Sequence, residues 1–260
     1  MIAIETKNLS RSYRTYEKAE GLMASLKGFT QRKYIEKQAL KATDLSLKSG
    51  QIIGLVGANG AGKTTLLKIL SGLIPPSTGE AKVLGFTPFD RKPEFLRQIS
   101  LLLGQKNQLW WDLSPSDSFQ LLGDIYNLEP GIAKKRSLEL ADILDAKHVL
   151  NTQLRRLSLG ERMKMELIGS LLHEPKVLFL DEPTIGLDIV AQSKIRQFLL
   201  HYVHEKQPTI ILTSHYMDDI AQLASQLLLM SQGNIVYNGS VNEFLSKNEE
   251  RQKIKFALSK

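Results

Sequence analysis

Two adjacent carboxylates, Asp181 and Glu182, end an apolar run in the stretch KVLFLDEPTIGLD. Charges at the mouth of a buried strand are costly unless a partner uses them, so the pair asks for a cation, a proton or both. A second chemical stretch is GANGAGKTT, Gly57 to Thr65. It satisfies G-x-x-x-x-G-K-[ST] in full, with a strand-like IIGLV before it and a helix-like LLKIL after it. Glycines there let backbone N–H groups turn inward around phosphate oxygens, and the helix start adds its positive dipole end. Lys63 can then reach β- and γ-phosphates, and the Thr64 hydroxyl can ligate Mg²⁺. Asp181 becomes the candidate to hold the same Mg²⁺ through water. Glu182, pointing the other way along a strand, becomes the candidate to take a proton from an attacking water. Among the histidines, His215 in TSHYMDD follows the strand-like Ile210–Leu212 and falls beyond its carboxyl end, where α/β sheets place ligands. His148, His173, His201 and His204 carry no surrounding motif and read as surface or packing residues.

The elements that must position these groups alternate. Residues 42–56 read as two strands around Lys48-Ser49-Gly50, and a helix is expected from Lys63 to about Leu73, ended by Gly72 and Pro75-Pro76. Short strands are expected at 80–84 and 99–103. From Ser114 to Leu172 the pattern is helical. Ser114-Pro115 opens a first helix with Phe119, Leu122 and Tyr126 near 3.6 spacing, followed by helices over 131–145 and 161–172. Strand and helix then alternate over 177–181, 189–206, 209–213 and 216–225. This is a parallel α/β core interrupted by a helical insert.

Composition sets the outer bounds. The chain of 260 residues is long enough for one sizeable α/β domain. It has no cysteine, which excludes disulfides, thiolate catalysis and cysteine metal sites and suits a reducing compartment. The N-terminus carries Glu5 and no signal-peptide core, and no apolar run approaches the roughly 20 residues of a membrane span. The net charge of +7 is concentrated in residues 1–50 and 246–260. Solvated faces, a surface near anionic lipid and a nucleic-acid surface are the three readings of that excess, and no nucleic-acid motif supports the last. Within residues 14–38, Leu22, Leu26 and Phe29 share a helical face with basic residues around it. That pattern fits a basic amphipathic helix or an ordinary surface helix; Gly21 and Gly28 each weaken a helix by about 1 kcal/mol.

Taken with the phosphate loop, LSLGERMKMELIGSLLHEPKVLFLDEPTIGLD (157–188) resembles the ATPase subunit of an ATP-binding-cassette (ABC) transporter, over about residues 2–245. The resemblance implies a phosphate-loop NTPase core of α/β class with an antiparallel β subdomain and an inserted helical subdomain at about 106–172. A basic insertion falls at about 14–38, and a short basic tail at 246–260. It implies that ATP and Mg²⁺ are bound by Gly57, Ala58, Asn59, Gly60, Ala61, Gly62, Lys63, Thr64 and Thr65. Gln105 would contact Mg²⁺ and the attacking water, Asp181 the metal, and Glu182 would be the general base. His215 would touch the γ-phosphate, Asp188 would line the subunit interface, and Tyr13 would stack on adenine, with Tyr16 close enough to compete.

LSLGE, Leu157 to Glu161, resembles the family signature LSGGQ. Ser158, Gly160 and Glu161 would close over the nucleotide of a second cassette, so the resemblance implies a dimer, homodimeric by expectation. Leu159 replaces a glycine and loses easy access to positive φ; Glu161 replaces a neutral glutamine beside phosphate. LSLGER, QKNQLWWDL and TSHYMDDI are similar to bacterial drug-export members of the viologen- and daunorubicin-exporter-like group. The implied partners are integral membrane permease subunits, at the cytoplasmic face of the inner membrane, with no nucleic acid. Trp110 and Trp111 would border the groove for a permease helix, at least one of them exposed. A soluble cassette acting on ribosomes or DNA is the alternative. It usually needs two cassettes in one chain or a long coiled coil between loop and signature, and neither is present. A non-catalytic module would lack Glu182 or His215.

Overall fold

The computed structural model describes residues 1–16, 34–104, 107–214 and 217–247. Two sheets organise them. The larger has six strands in the order β5-β6-β7-β3-β8-β9. These are β3 (Ile52–Gly57), β5 (Ile99–Leu103), β6 (Val177–Asp181), β7 (Thr209–Thr213), β8 (Gln226–Ser231) and β9 (Asn234–Ser240). β5 to β8 run parallel within it, and β9 closes the edge antiparallel. The smaller sheet is antiparallel, in the order β2-β1-β4, from β1 (Ile2–Tyr16), β2 (Tyr34–Lys48) and β4 (Thr78–Val83).

The strand sequences explain the layers. β6 alternates between two cores: Leu178 and Leu180 join one cluster, Val177 and Phe179 the other. A strand buried on both faces must be apolar throughout, and VLFL is. The first cluster takes in α5 (Leu159–Leu171) and α6 (Ile189–Lys206); the second takes in α1 (Lys63–Leu70) and the inner face of the antiparallel sheet. α2 (Pro93–Leu96) and the helices α3 (Pro115–Ile125), α4 (Ile132–Ile143) and α7 (Met217–Leu223) complete the set.

Helix starts follow the expected chemistry. Ser114 caps α3 by accepting the Asp117 N–H at 3.2 Å, with Pro115 at the first position. α1 ends at Leu70, earlier than Leu73, because Gly72 turns left-handed at φ 73°. α5 starts at Leu159, two residues earlier than expected, because Ser158 and Glu161 form a reciprocal capping box. The expectation of a helix through 14–38 fails at both ends. Arg14–Tyr16 and Tyr34–Gln38 are paired strands, with Arg14 opposite Glu36 and Tyr16 opposite Tyr34. Residues 17–33, which carry Leu22, Leu26 and Phe29, lie outside the described residues, as do 248–260 of the basic tail.

The helical layer is tied to the sheet by a buried carboxylate. Glu166, in the middle of α5, is 4% exposed and accepts the backbone N–H groups of Gln108 at 3.0 Å and Leu109 at 3.3 Å. Burial pushes its pKa above the ordinary glutamate value, against the opposing pull of those N–H groups and of Arg162. A native pKa above the unfolded one means stability is gained as pH falls through the native value and lost as pH rises through it. In denaturant titrations from about pH 8 to pH 5, wild type is therefore expected to gain stability relative to Glu166→Gln. A difference that does not vary with pH would show that Glu166 titrates as in the unfolded chain. Phe179, fully buried behind Asp181, gives a pH-independent comparison: Phe179→Ala is expected to cost about 3–5 kcal/mol in urea.

Candidate active site

Parallel register lines up the carboxyl ends of four strands. Leu103 of β5 is opposite Asp181 of β6, Asp181 is opposite Thr213 of β7, and Thr213 is opposite Leu55 of β3. The chain that leaves this row carries every group the sequence put in the chemistry: Gly104 before Gln105, Glu182, Ser214 before His215, and Gly57 at the head of the phosphate loop. Gln105 and His215 themselves lie outside the described residues.

The loop is built from the backbone up. Ala58, Asn59 and Gly60 are exposed, Gly60 with φ 79°, while the Ala61 N–H closes a turn onto the Ala58 carbonyl at 3.0 Å. Gly62 precedes α1 at φ 108°, and a Cβ there would run into the Ala39 carbonyl of β2, so only glycine fits. Lys63 is buried, its ammonium turned back to donate to the Gly57 carbonyl at 2.7 Å and the Ala58 carbonyl at 3.3 Å. Thr65 is half-buried in the first turn of α1. The Thr64 hydroxyl donates to Asp181 Oδ2 at 2.8 Å, joining loop to strand end.

The second oxygen of Asp181 is held by a residue the sequence reading missed. Thr213 Oγ1 donates to Asp181 Oδ1 at 2.7 Å and accepts the Glu182 N–H at 2.9 Å. One hydroxyl thus fixes both acids. Its signal was its place in the quoted TSHYMDD, two residues before His215. Gly233, also missed, clips the loop to the small sheet: its N–H donates to the Ala61 carbonyl at 3.0 Å and its carbonyl accepts from the Lys41 N–H at 2.9 Å.

Glu182 diverges from Asp181 for a different reason than strand alternation. β6 stops at Asp181, and Glu182 is left-handed, at φ 57°. Such a backbone for a non-glycine residue is uncommon and typical of sites that hold a side chain in one direction. Gly104 donates its N–H to the Asp181 carbonyl at 2.8 Å, and a Cβ there would strike the Glu182 carbonyl. The chain reaching Gln105 therefore lies against both acids.

The remaining predicted residues form two further groups. Tyr13 is half-buried on β1 opposite Lys37, two residues from Ala39, which abuts Gly62; the Arg11 guanidinium sits 4.8 Å from its ring centroid. Tyr13 is thus on the sheet that borders the phosphate loop. Ser158 and Glu161 cap α5, and Asp188 caps α6 by accepting the Ala191 N–H at 2.9 Å. These two turns adjoin: the Leu159 side chain reaches Gly186, and Gly160 faces Ala191. Leu159 is the first helical residue and has no positive φ, so the loss of glycine there is harmless. Hydrogen bonds from Ser158, then His148, hold the Glu161 carboxyl below its ordinary range.

The histidines read as packing residues divide as expected. His173 stacks on Tyr126 at 3.8 Å and bonds the Ile99 carbonyl at 2.9 Å, and burial lowers its pKa. Trp110 and Trp111 are both exposed, 37% and 43%, which agrees with the expectation for the pair.

The donor set fits Mg²⁺. A threonine hydroxyl and a carboxylate are hard oxygen donors, and Mg²⁺ takes one or two such groups plus substrate phosphates. Among the described residues there is no cluster of three His, Cys, Asp or Glu able to hold a metal alone; Mg²⁺ at such a site would complete its shell with phosphate oxygens and water.

Comparison with known proteins agrees with this geometry. A family model described as ABC transporter matches residues 40–185. The ABC transporter ATP-binding protein NatA of Bacillus subtilis is 29% identical over 88% of this chain and 92% of its own length. The daunorubicin resistance ATP-binding protein DrrA3 of Streptomyces coeruleorubidus is 33% identical over 82% of this chain and 67% of its own. The cassette MJ0796, solved as a post-hydrolysis dimer bound to ADP and Pi, superposes with a TM-score of 0.76 at 21% identity. That superposition covers 92% of this chain and 98% of the other, a likeness of fold. The matched span runs from β2 past the phosphate loop to the two acids, and by that extent the chain belongs to the ABC transporter family.

Proposed function

We propose that this ABC subunit hydrolyses ATP between two copies of itself and that closure and reopening of the pair drives export through separate membrane permease subunits. The observation that carries the reading is the hydrogen bond from Thr64 to Asp181, which brings a complete phosphate loop to a carboxylate at the strand end. Lys63 exchanges its loop carbonyls for phosphate oxygens. Thr64 and Asp181 would hold Mg²⁺, which would supply neutralisation of charge on the phosphate oxygens. Glu182, its backbone fixed by Thr213, accepts the proton of the attacking water. Gln105 and His215 meet the water and γ-phosphate on the family pattern, and Tyr13 stacks on adenine.

A second copy supplies Ser158, Gly160 and Asp188. In favour of this, Leu159, Ile189 and Val190 are exposed apolar residues beside those turns, at 42%, 80% and 71%, and large exposed apolar residues gathered near polar ones mark interaction surfaces. The permease docks at Trp110 and Trp111, where exposed aromatics make good anchors. Through that contact the subunit would sit at the cytoplasmic face of the membrane; among the described residues no helix is long and apolar enough to cross it. The cassette is read as 1–245 with its helical subdomain at about 106–172.

Glu182→Gln is expected to keep ATP binding, lose turnover by about 100-fold or more, and accumulate as an ATP-bound dimer in size exclusion. Normal hydrolysis by that variant would put the base elsewhere. Lys63→Ala is expected to weaken nucleotide binding by about tenfold to a hundredfold, read by equilibrium titration with a fluorescent ATP analogue.

A further inference from the structure

The Ser158 hydroxyl, which the proposed reading aims at the partner copy's nucleotide, is already engaged within its own chain. It donates to Glu161 Oε2 at 2.8 Å, and the same oxygen accepts the Ser158 backbone N–H at 2.9 Å. The Glu161 N–H returns a bond to Ser158 Oγ at 3.3 Å. His148 Nε2 lies 3.4 Å from the other carboxylate oxygen, Oε1. These bonds hold Glu161 in its anionic form.

Two physical consequences follow from that arrangement. A serine hydroxyl has one proton to give, so it donates to Glu161 or to a phosphate oxygen, never to both. The carboxylate also occupies the positive end of α5, the same end that favours an arriving anion. A neutral side chain at position 161 would compete less for the Ser158 proton and would not oppose phosphate by charge; glutamate does both.

We propose that Glu161 is an internal competitor of nucleotide phosphate at Ser158, a specificity-determining residue that sets how much ATP is needed to close the dimer. The inference rests on the reading that Ser158 meets the partner's nucleotide. It predicts a gain on removing the charge, whereas a residue that only stabilises the helix predicts no change or a loss.

Glutamine separates the two cases, because it preserves the reciprocal cap while its neutral oxygen makes the weaker bond to Ser158. The experiment uses the full chain carrying Glu182→Gln as the parent, with ATP titrated and dimer fraction read by sedimentation. Adding Glu161→Gln is expected to lower the ATP concentration at half-maximal dimer by about 3- to 10-fold. Glu161→Met, a good helix former without charge or acceptor oxygen, is expected to shift it in the same direction. Thermal midpoints close to the parent's would show that the cap survives. A parent that dimerises while both variants need as much ATP or more overturns the inference alone. A parent that forms no dimer at any ATP concentration overturns the reading of Ser158 and the inference with it.

Discussion

Asp181 ends a strand that is otherwise entirely buried, and its carboxylate is held from both sides by hydroxyls. Thr64 comes from the helix that follows the phosphate loop and Thr213 from the neighbouring strand. This bracket is the constraint on which the site depends. It works only if β6 and β7 are parallel and in register, so that Thr213 stands beside Asp181, and only if α1 packs back on the sheet close enough for Thr64 to reach. Parallel pairing in turn requires crossover connections and helices on both faces. The two hydrophobic clusters on either side of β6 are thus conditions for a single hydrogen-bonded carboxylate.

The chemistry was legible in the sequence because it is written in contiguous residues. Gly57 to Thr65 and Asp181-Glu182 need no knowledge of the fold to be found, since each element that presents them adjoins them in the chain. Helices with side-chain caps, such as those begun by Ser114 and Asp188, were legible for the same reason. What stayed hidden is made by partners distant in sequence. Thr213 acts on residues more than thirty positions away, and Gly233 on a loop that precedes it by far more. β1 and β2 are fifteen residues each, interrupted by register shifts. A bulge breaks the period-two alternation on which strand reading depends. The β8–β9 pair was missed although Gln232-Gly233 marks its turn, because β8 reads QLLLMS, an apolar run too short to distinguish strand from helix.

Asp219 repeats the device on the other side of the site. It is 1% exposed and accepts hydroxyl protons from Thr184 at 2.7 Å and Ser214 at 3.1 Å, while Arg196 donates to its other oxygen at 2.6 Å. Thr184 lies two residues after Glu182 and Ser214 immediately before His215. One buried ion pair therefore joins the chain leaving β6 to the chain leaving β7. Breaking such a pair by removing one partner costs about 3–5 kcal/mol, because the other charge is left buried, so the arrangement resists drift of either loop.

Glu166 differs from Asp181 and Asp219 in what it joins. The latter two bind parts of the sheet end to one another and make it rigid. Glu166 fastens the segment beginning at Gln108 to α5, whose first turn carries Ser158. The eight residue steps from Ser158 to Glu166 span about 12 Å of helix, a length with no internal joint. Arg162, midway between them, covers the Trp111 ring at 5.0 Å, and the Trp111 carbonyl accepts the N–H of Arg155, just before the signature turn. A rigid displacement of α5 therefore carries the exposed tryptophan face and the phosphate-facing turn as one body.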